Sequence, residues 1–307
     1  MNMIKFLNKI KQPIVLELGG KGYSLAVLIN NGFNVPKGFV IMSDTFFKYL
    51  EQNNLMKKIE QLAFKIDENN FQKKSEKIRN LILSGKIPEK MVSEIKKNLY
   101  NLNAQYISIR SSAVSEDSLK SSFAGLYDTF LNVKVDLDIV LENVKKCWAS
   151  LFNERAVIYR IKKKIPHLEG IAVIIQEMIP AEISGITFTV HPTDEKSLLV
   201  EASYGIGDII VSGKVEPDEY VVDRETLEIT GKKIGRKNKM STVDIREIKV
   251  IDVETEFAKN QAISDEKIKE IAAACLNIGE ILKYPQDIEW CMYNSKIYLL
   301  QSRAITG

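Results

Sequence analysis

The chain is poor in cysteine and histidine. Its 307 residues include three cysteines and two histidines. The cysteines, Cys147, Cys275 and Cys291, are odd in number, lie far apart and form no C-x-x-C pair. Their spacing therefore suggests neither a disulfide framework nor a zinc site, and a reducing compartment is the simplest expectation.

An excess of charge of one sign and a long hydrophobic run are missing as well. The chain has 43 basic and 40 acidic residues, a net charge of +3, which argues against a dedicated nucleic-acid surface. No run approaches the ~18 apolar residues of a membrane span, and the N-terminal stretch MNMIKFLNKIKQ has too short an apolar core for a signal peptide. We therefore expect a soluble cytoplasmic protein with no nucleic-acid or membrane partner.

A stretch from Tyr106 to Val133 carries the densest group of hydroxyl and acidic side chains. Its first residues are β-formers and predict a strand. Arg110, expected at the end of that strand, is a rigid fork of donors that suits phosphate oxygens. Two serines follow it, and small residues around Gly125 would let the backbone approach an anion. A phosphate site and a serine-rich turn between two strands both fit this pattern.

A glycine turn near the N-terminus presents a lysine. The sequence ELGGKGYS, residues 17–24, precedes a helical pattern. It is not a Walker A loop, because Gly22 stands where serine or threonine should follow Lys21. On these residues alone, a solvated lysine and a phosphate contact are both open.

Two acids near the C-terminus share a predicted strand. Asp287 and Glu289 are two residues apart and therefore lie on one face of that strand. Gln301 and Arg303 repeat the spacing on the predicted return strand. Close carboxylates are natural ligands for magnesium, although a solvent-facing acidic strand is the alternative.

Together these motifs resemble the nucleotide-binding domain of the dikinase family, which includes phosphoenolpyruvate synthase, pyruvate phosphate dikinase and rifampicin phosphotransferase. The resemblance covers essentially the whole chain. The matching motifs are G-G-K-G at 19–22, R-S-S-A at 110–113, E-D at 116–117, S-F-A-G at 122–125, D-T-F-L-N at 128–132, D-x-E-W at 287–290 and Q-S-R at 301–303.

The resemblance implies an α+β, ATP-grasp-like fold of two lobes with the nucleotide in the cleft between them. Residues 1–178 would form the N-terminal lobe, with the G-G-K-G turn and the phosphate loop. Residues 179–307 would form the C-terminal ATP-grasp lobe, with the metal and phosphate hairpin.

ATP and Mg²⁺ are the cofactors that the resemblance implies. Lys21, Arg110 and Arg303 would neutralise the triphosphate and are the expected catalytic residues. Asp287 and Glu289 would hold the metal. The other expected nucleotide contacts are Ser122, Gly125, Thr129, Gln176, Glu177, Ile179, Glu201 and Gln301.

Enzymes of this family pass the phosphoryl group to a histidine on a separate swivelling domain. Neither His167 nor His191 lies in a G-G-x-x-[ST]-H-A context, so we expect both to be loop residues. The chain would then be the ATP-binding component of a phosphotransferase, incomplete without a phosphohistidine domain in trans or in a longer parent chain. A non-catalytic ATP-binding module that regulates a partner is the alternative, and self-contained ATP hydrolysis is a weaker one. The final acceptor stays open.

Three local structures are also predicted. Apolar spacing predicts one long amphipathic helix over Asp136–Ile161. The charged, glycine-containing segment Lys232–Ser241 predicts a mobile loop.

The third is a C-terminal hairpin. Parity requires a three- or five-residue loop, or a bulge of equivalent effect, if Glu289 is to face Gln301 and Asp287 is to face Arg303. The same register would pair Trp290 with Leu300 and Met292 with Tyr298.

Overall fold

The computed structural model describes residues 3–116, 125–243 and 247–305. The chain divides into two compact units, residues 1–30 with 37–178 and residues 31–36 with 179–307. Segment 31–36 joins the second unit because Asn34 pairs with its last strand: the Asn34 Nδ2 donates to the Ile297 carbonyl at 2.6 Å, and the Leu299 N–H donates to the Asn34 carbonyl at 2.9 Å. Each unit combines helices with an antiparallel sheet, so the predicted α+β class is confirmed.

The first unit has a five-stranded sheet in the order β1-β2-β5-β3-β4. Its strands are β1 (Ile4–Phe6), β2 (Gly38–Ile41), β3 (Tyr106–Ala113), β4 (Thr129–Lys134) and β5 (Ile171–Glu177). Its helices are α1 (Val15–Asn30), α2 (Asp44–Gln52), α3 (Met56–Phe64), α4 (Phe71–Ser84), α5 (Glu89–Leu102), α6 (Leu137–Ala149) and α7 (Glu154–Lys163), with short 3₁₀ helices at Leu7–Lys9 and Ser150–Phe152.

The core of this unit lies where α2 and α6 cover the sheet. Trp148 is fully buried against Tyr49, with ring centroids 4.8 Å apart. The central strand β5 is buried along almost its whole length, as its continuous apolar sequence predicts. No helix in the described part of the chain has the length and apolar character to cross a membrane.

The prediction of a single helix over Asp136–Ile161 is wrong, because the helical conformation is interrupted at Asn153. This residue is extended (φ −61°, ψ 139°) and separates the 3₁₀ helix from α7. Its side-chain amide donates to the Leu126 carbonyl at 3.2 Å and to Asp128 Oδ1 at 2.8 Å. Because the helix is interrupted here, the Asn153 side chain can bind the segment that precedes β4.

Asp136 caps α6, since its carboxylate accepts from the Asp138 and Ile139 N–H groups.

Arg110 lies within β3 and not at its end. The next three residues continue the strand and pair with Val173, Ala172 and Ile171 of β5. The serines were read as turn-formers, but their backbones complete the sheet. This change moves the end of the strand to Ala113.

The second unit has a six-stranded sheet in the order β13-β12-β6-β7-β8-β9 and a separate hairpin, β10-β11. The strands are β6 (Ile183–Phe188), β7 (Ser197–Tyr204), β8 (Asp218–Asp223), β9 (Ile229–Lys233), β10 (Lys239–Val243), β11 (Ile248–Asp252), β12 (Gln286–Tyr293) and β13 (Lys296–Ala304). The helices are α8 (Asp208–Val211), α9 (Thr255–Ala258) and α10 (Asp265–Leu282).

The C-terminal hairpin has the predicted register at the acids. Glu289 pairs with Gln301, and Asp287 pairs with Arg303. The loop is nevertheless a two-residue turn at Asn294 and Ser295, both with positive φ, which is the backbone that a tight hairpin favours.

A bulge supplies the shift in parity. The register changes between Glu289 and Trp290, so Leu300 is the extra residue of β13. The predicted pairs Trp290–Leu300 and Met292–Tyr298 are therefore wrong: Trp290 pairs with Leu299, and Met292 pairs with Ile297.

The segment Lys232–Ser241 is not a loop throughout, since its two ends belong to β9 and β10. Its middle holds Lys237, which is fully buried. The Lys237 ammonium forms an ion pair with fully buried Asp218 and donates to the Gly235 carbonyl at 3.1 Å.

Asp218 also accepts from three further donors. These are the Gly235 N–H at 3.0 Å, the Tyr220 hydroxyl at 3.1 Å and the Ala262 N–H at 2.7 Å. The ion pair thus ties β8 to two connecting segments. A buried charge with this many partners is stable only while the set is complete.

Lys237→Met should destabilise the second unit by about 3–5 kcal/mol, because it leaves the buried Asp218 carboxylate without its cation. Lys239→Met, at an exposed position, should change stability by less than about 0.5 kcal/mol. Urea unfolding is followed by Trp290 fluorescence in a Trp148→Phe background, since the chain has two tryptophans, one in each unit. Equal midpoints for the two lysine variants would contradict the structural role of Lys237.

Candidate functional site

The G-G-K-G turn and the R-S-S-A strand are joined in the first unit by Ser112. Its hydroxyl donates to the Leu18 carbonyl at 2.8 Å and accepts from the Gly22 N–H at 3.1 Å. Gly19 interrupts α1 with φ 69°, and a Cβ at this position would lie 2.0 Å from the Ser112 carbonyl oxygen. Only glycine satisfies both the left-handed backbone and this close approach.

This junction places Lys21 beside β3. The Lys21 ammonium donates to the Ser111 carbonyl at 3.1 Å and forms an ion pair with Glu116. The Lys21 side chain is 11% exposed and that of Glu116 is 2% exposed. Glu116 Oε2 also accepts from the Ala113 N–H at 3.2 Å. Lys21 is therefore a held, nearly buried cation.

The two serine hydroxyls of R-S-S-A both bond to the protein. The Ser111 hydroxyl donates to the Asp128 carbonyl at 2.9 Å, and the Ser112 hydroxyl fastens the glycine turn. They position the site and do not line it.

A buried polar network lies next to Glu116. Fully buried Arg160 donates through Nη1 to the Tyr127 hydroxyl at 3.1 Å, and through Nη2 to the Leu151 carbonyl. Burial raises the pKa of Tyr127, and the nearby Arg160 charge opposes the rise. The Ser115 hydroxyl donates to Glu169 at 2.6 Å. Segments on both sides of residues 117–124 are thus fixed to the body of the unit.

The other predicted residues of the first unit fall in two places. Thr129 pairs with Arg110 across β3 and β4, so these two lie near the carbonyl that holds Lys21. Gly125 has φ 67°, and no atom of the described residues lies within 4 Å of a Cβ built on it. Ser122 lies outside the described residues.

Gln176 and Glu177 lie at the end of β5. Gln176 is 3% exposed and packs over Gly38, where a Cβ would lie 2.6 Å from the Gln176 side chain. The Glu177 N–H donates to the Lys37 carbonyl at 2.8 Å. Its backbone N–H is therefore already bonded within the first unit. Ile179 is the first residue of the second unit in this part of the chain.

The second unit carries a row of polar side chains across one face of its sheet. Register places Gln301, Glu289, Ile186, Glu201 and Glu219 side by side on five neighbouring strands. Burial raises the pKa of Glu201, and the nearby carboxylates of Glu219 and Asp287 raise it further. Lys233, which forms an ion pair with Glu219 at 3.0 Å, opposes the rise.

Asp287 is the most deeply placed acid of this group. It is 7% exposed, and its Oδ2 accepts from Arg303 Nε at 2.8 Å and from Arg303 Nη2. Within residues 3–116, 125–243 and 247–305, its Oδ1 is buried and has no hydrogen-bond partner. An unsatisfied buried carboxylate oxygen is costly, and a bound cation would satisfy it.

Three or more histidine, cysteine or acidic side chains that could hold a metal ion together are not found among the described residues. Mg²⁺ does not require such a cage, because it is held by one or two carboxylates together with phosphate oxygens and water. Asp287 Oδ1 and neighbouring Glu289 fit that donor set.

The two histidines lie in connecting segments, as predicted. Burial, together with nearby Arg160, lowers the pKa of His167 to about 4, so its ring is neutral near pH 7. His191 Nδ1 accepts from the Thr193 N–H at 3.2 Å.

Sequence reasoning missed Glu116, the partner of Lys21, and it also missed Arg160 and Glu219. Glu116 belongs to the E-D pair of the matched motif, yet no role was predicted for it. Arg160 begins a basic run, residues 160–164, and was taken for an exposed residue of that run. Glu219 lies in β8, and its alternating sequence gave no sign of a functional position. The position of Glu116 in the motif was the one usable signal.

Comparison with known proteins extends the family resemblance. Residues 15–307 match the family model described as "Pyruvate phosphate dikinase, AMP/ATP-binding domain". A probable phosphoenolpyruvate synthase of Methanocaldococcus jannaschii is 37% identical over 100% of this chain and 27% of its own length. The phosphoenolpyruvate synthase of Pyrococcus furiosus is 31% identical over 99% of this chain and 44% of its own length. The chain thus spans less than half of these relatives.

Among solved structures, a D-alanine–D-alanine ligase of Bacillus anthracis aligns with a TM-score of 0.37 and 9% identity. The alignment covers 94% of this chain and 57% of the ligase.

Glu116→Gln and Lys21→Met should each lower the stability of the first unit by about 2–4 kcal/mol, since each leaves a nearly buried charge without its partner. The double variant should regain most of the loss, because a buried pair replaced by neutral groups costs little. The measurement is a double-mutant cycle by urea unfolding, followed by Trp148 fluorescence in a Trp290→Phe background.

The exposed pair Lys48–Asp44, 2.6 Å apart on one helix face, is the matched control. Its coupling should not exceed about 0.5 kcal/mol. Additive losses at Lys21 and Glu116, within about 0.5 kcal/mol, would show that these two residues act independently.

Proposed function

Because the chain belongs to the family of the pyruvate phosphate dikinase AMP/ATP-binding domain, we propose that it binds Mg-ATP and donates a (pyro)phosphoryl group to a histidine of another domain or chain; transfer of the β- and γ-phosphoryl groups together leaves AMP. The observation that carries the proposal is the junction at Ser112, which fixes the G-G-K-G turn against R-S-S-A. Two motifs about 90 residues apart in sequence are thereby joined, and Lys21 reaches the carbonyl of Ser111, the residue after Arg110, which supports a shared role for Lys21 and Arg110.

Charge neutralisation is the chemical task of these residues. Phosphoryl transfer needs mainly positioning and electrostatic stabilisation of the transferred group. Lys21 and Arg110 of the first unit and Arg303 of the second supply the cations. Gly125, Thr129 and Ser122 supply backbone and hydroxyl donors toward the phosphates. Gln301 adds a side-chain amide beside the acids.

Base and sugar contacts fall to the remaining predicted residues. Since the Glu177 N–H is already bonded, Glu177 would accept from the adenine amino group through its carbonyl, and Ile179 would donate through its N–H. Gln176 supports this end of β5 from the protein side. Glu201, with its raised pKa, suits a hydrogen bond to a ribose hydroxyl.

Asp287 and Glu289 would hold Mg²⁺. The unsatisfied Oδ1 of Asp287 supports this assignment, because Arg303 already occupies the other oxygen. When bound, the ion neutralises phosphate charge and orients the phosphoryl group. Arg303 keeps the Asp287 carboxylate oriented with Oδ1 turned away from the guanidinium.

Transfer to a partner histidine follows from the family and from the length of its members. The relatives are named phosphoenolpyruvate synthases, and most of each lies beyond the matched region. We therefore assign the phosphohistidine, and the final acceptor, to such a further domain.

Mg-ATP should bind and raise the melting temperature, since a ligand that binds only the folded state stabilises it by ~2.7 kcal/mol at a hundredfold excess over Kd. Arg110→Ala should weaken binding at least about tenfold, because a charged hydrogen bond to phosphate is lost. Isothermal titration calorimetry measures both. Wild-type affinity in Arg110→Ala would remove this strand from the phosphate site.

Two controls separate the metal from the nucleotide. Asp287→Asn should abolish the dependence of ATP affinity on Mg²⁺ while ATP still binds in EDTA. Asp252→Asn, at an exposed position, should behave like the wild type. An unchanged Mg²⁺ dependence in Asp287→Asn would refute the metal assignment.

With ATP labelled at the β-phosphorus, the chain alone should stay unlabelled, because His167 and His191 lie in segments built for packing and turns. When a histidine-bearing domain from a phosphoenolpyruvate synthase is added, that domain should acquire the label, and AMP should appear as the nucleotide product. Phosphoamino-acid analysis and nucleotide chromatography give the readouts. ADP as the sole product would indicate an ordinary kinase, and label on either histidine of this chain would contradict their assignment.

A further inference from the structure

A polar cavity of about 510 Å³ opens in the first unit, and none of the residues that line it is assigned above to ATP or Mg²⁺. It lies where α4 packs against the 3₁₀ helix Ser150–Phe152 and the start of α7. Fully buried Phe152 forms its apolar side, and Ser75 and Arg79 of α4 line it. Its volume is in the ordinary range for a small-molecule site, ~300–1,000 Å³.

Two donors in this cavity have nothing to bond to. Ser75 is 1% exposed, and among the described residues its hydroxyl has no hydrogen-bond partner. The Arg79 Nε is also buried and has no partner in the same ranges. The two residues are four apart on one helix and therefore lie on the same face. Both residues line the same cavity.

The chemistry of these donors selects the ligand. A guanidinium only donates, so its partner must bring an acceptor. Buried groups of this kind are expensive to leave unsatisfied, and a charged donor bonds most strongly to a charged acceptor. An oxyanion accepts from both the hydroxyl and the guanidinium at once. Water accepts too, but it leaves the positive charge of Arg79 uncompensated.

The rim of the cavity carries one lysine and two glutamates, a net charge of −1 that weakly opposes an anion. Lys73, Glu76 and Glu154 line it and are all exposed. Exposed charges of mixed sign are screened by water and salt, so the deeper donors decide the preference. The apolar surface of Phe152 leaves room for the carbon skeleton of a small metabolite.

We propose that this cavity is a binding site for a small oxyanion, a phosphate or carboxylate group, held by the Ser75 hydroxyl and the Arg79 guanidinium. The site uses none of the residues assigned to ATP, so it is a candidate effector site of the first unit.

The test titrates the protein with inorganic phosphate and, separately, with acetate, each against chloride at constant ionic strength. The readout is the ¹H–¹⁵N signal of the Arg79 Nε–H, assigned by its loss in Arg79→Gln. The titration runs in a Lys21→Met/Glu116→Gln/Arg110→Ala background, which leaves no unpaired charge at residue 116, so that phosphate binding at the proposed ATP site does not contribute. A failure of either proposal is therefore distinguishable from a failure of the other.

The signal should shift with saturation in at least one titration, and the responding anion identifies the phosphate or carboxylate preference. Melting temperature gives the affinity in the variants. Ser75→Ala and Arg79→Gln should each bind about tenfold or more weakly, the loss of one charged hydrogen bond. Arg155→Gln, an exposed arginine of α7 that does not line the cavity, should bind like the parent.

Ser75→Ala also separates binding from folding. Removal of an unpartnered buried hydroxyl should leave the ligand-free protein at least as stable as the parent, while its response to the anion falls. A shift that does not saturate, equal affinity in Arg79→Gln and the parent, or a crystal structure grown in phosphate with water alone at Ser75 and Arg79, would overturn the proposal.

Discussion

The contact between Gly19 and Ser112 is the constraint on which the first unit's site depends. A glycine without Cβ lets the turn reach the Ser112 carbonyl, and the Ser112 hydroxyl then bonds on both sides of that turn. Lys21 follows two residues later, so its ammonium reaches the Ser111 carbonyl and Glu116. The lysine is placed by backbone geometry, and its long side chain has little freedom left to lose on binding.

The buried charges of the two units differ in how completely they are satisfied. Asp218 accepts from four donors and is fully buried with Lys237. Asp287 is almost as buried, yet one of its oxygens has no partner in the described parts of the chain. A complete set of partners is what a structural ion pair needs. An incomplete set is a cost to folding, and such costs cluster where a ligand offsets them.

The sequence predicted those features that follow from side-chain parity and from local motifs. Glu289 had to face Gln301 for the acids and Arg303 to share one site, and the bulge at Leu300 achieves this. Parity alone does not distinguish an odd loop from a bulge, so the prediction left both open, and the structure has the bulge. Lys237 was missed because a lysine amid charged neighbours reads as solvated, while its partner lies 19 residues earlier. The helix break at Asn153 likewise depends on a tertiary contact to Asp128.

The ion pair with Glu116 limits how Lys21 can contact a phosphate in the proposed function. An ammonium has three donors, and two are used by the Ser111 carbonyl and Glu116. A phosphate oxygen therefore takes the third, or it displaces the carboxylate. Displacement would leave Glu116 buried and unpaired, which is costly, whereas sharing keeps both anions near one cation. A second cation then has to balance the added charge. In the proposed function, Arg110, adjacent in sequence to the carbonyl that holds Lys21, would supply it.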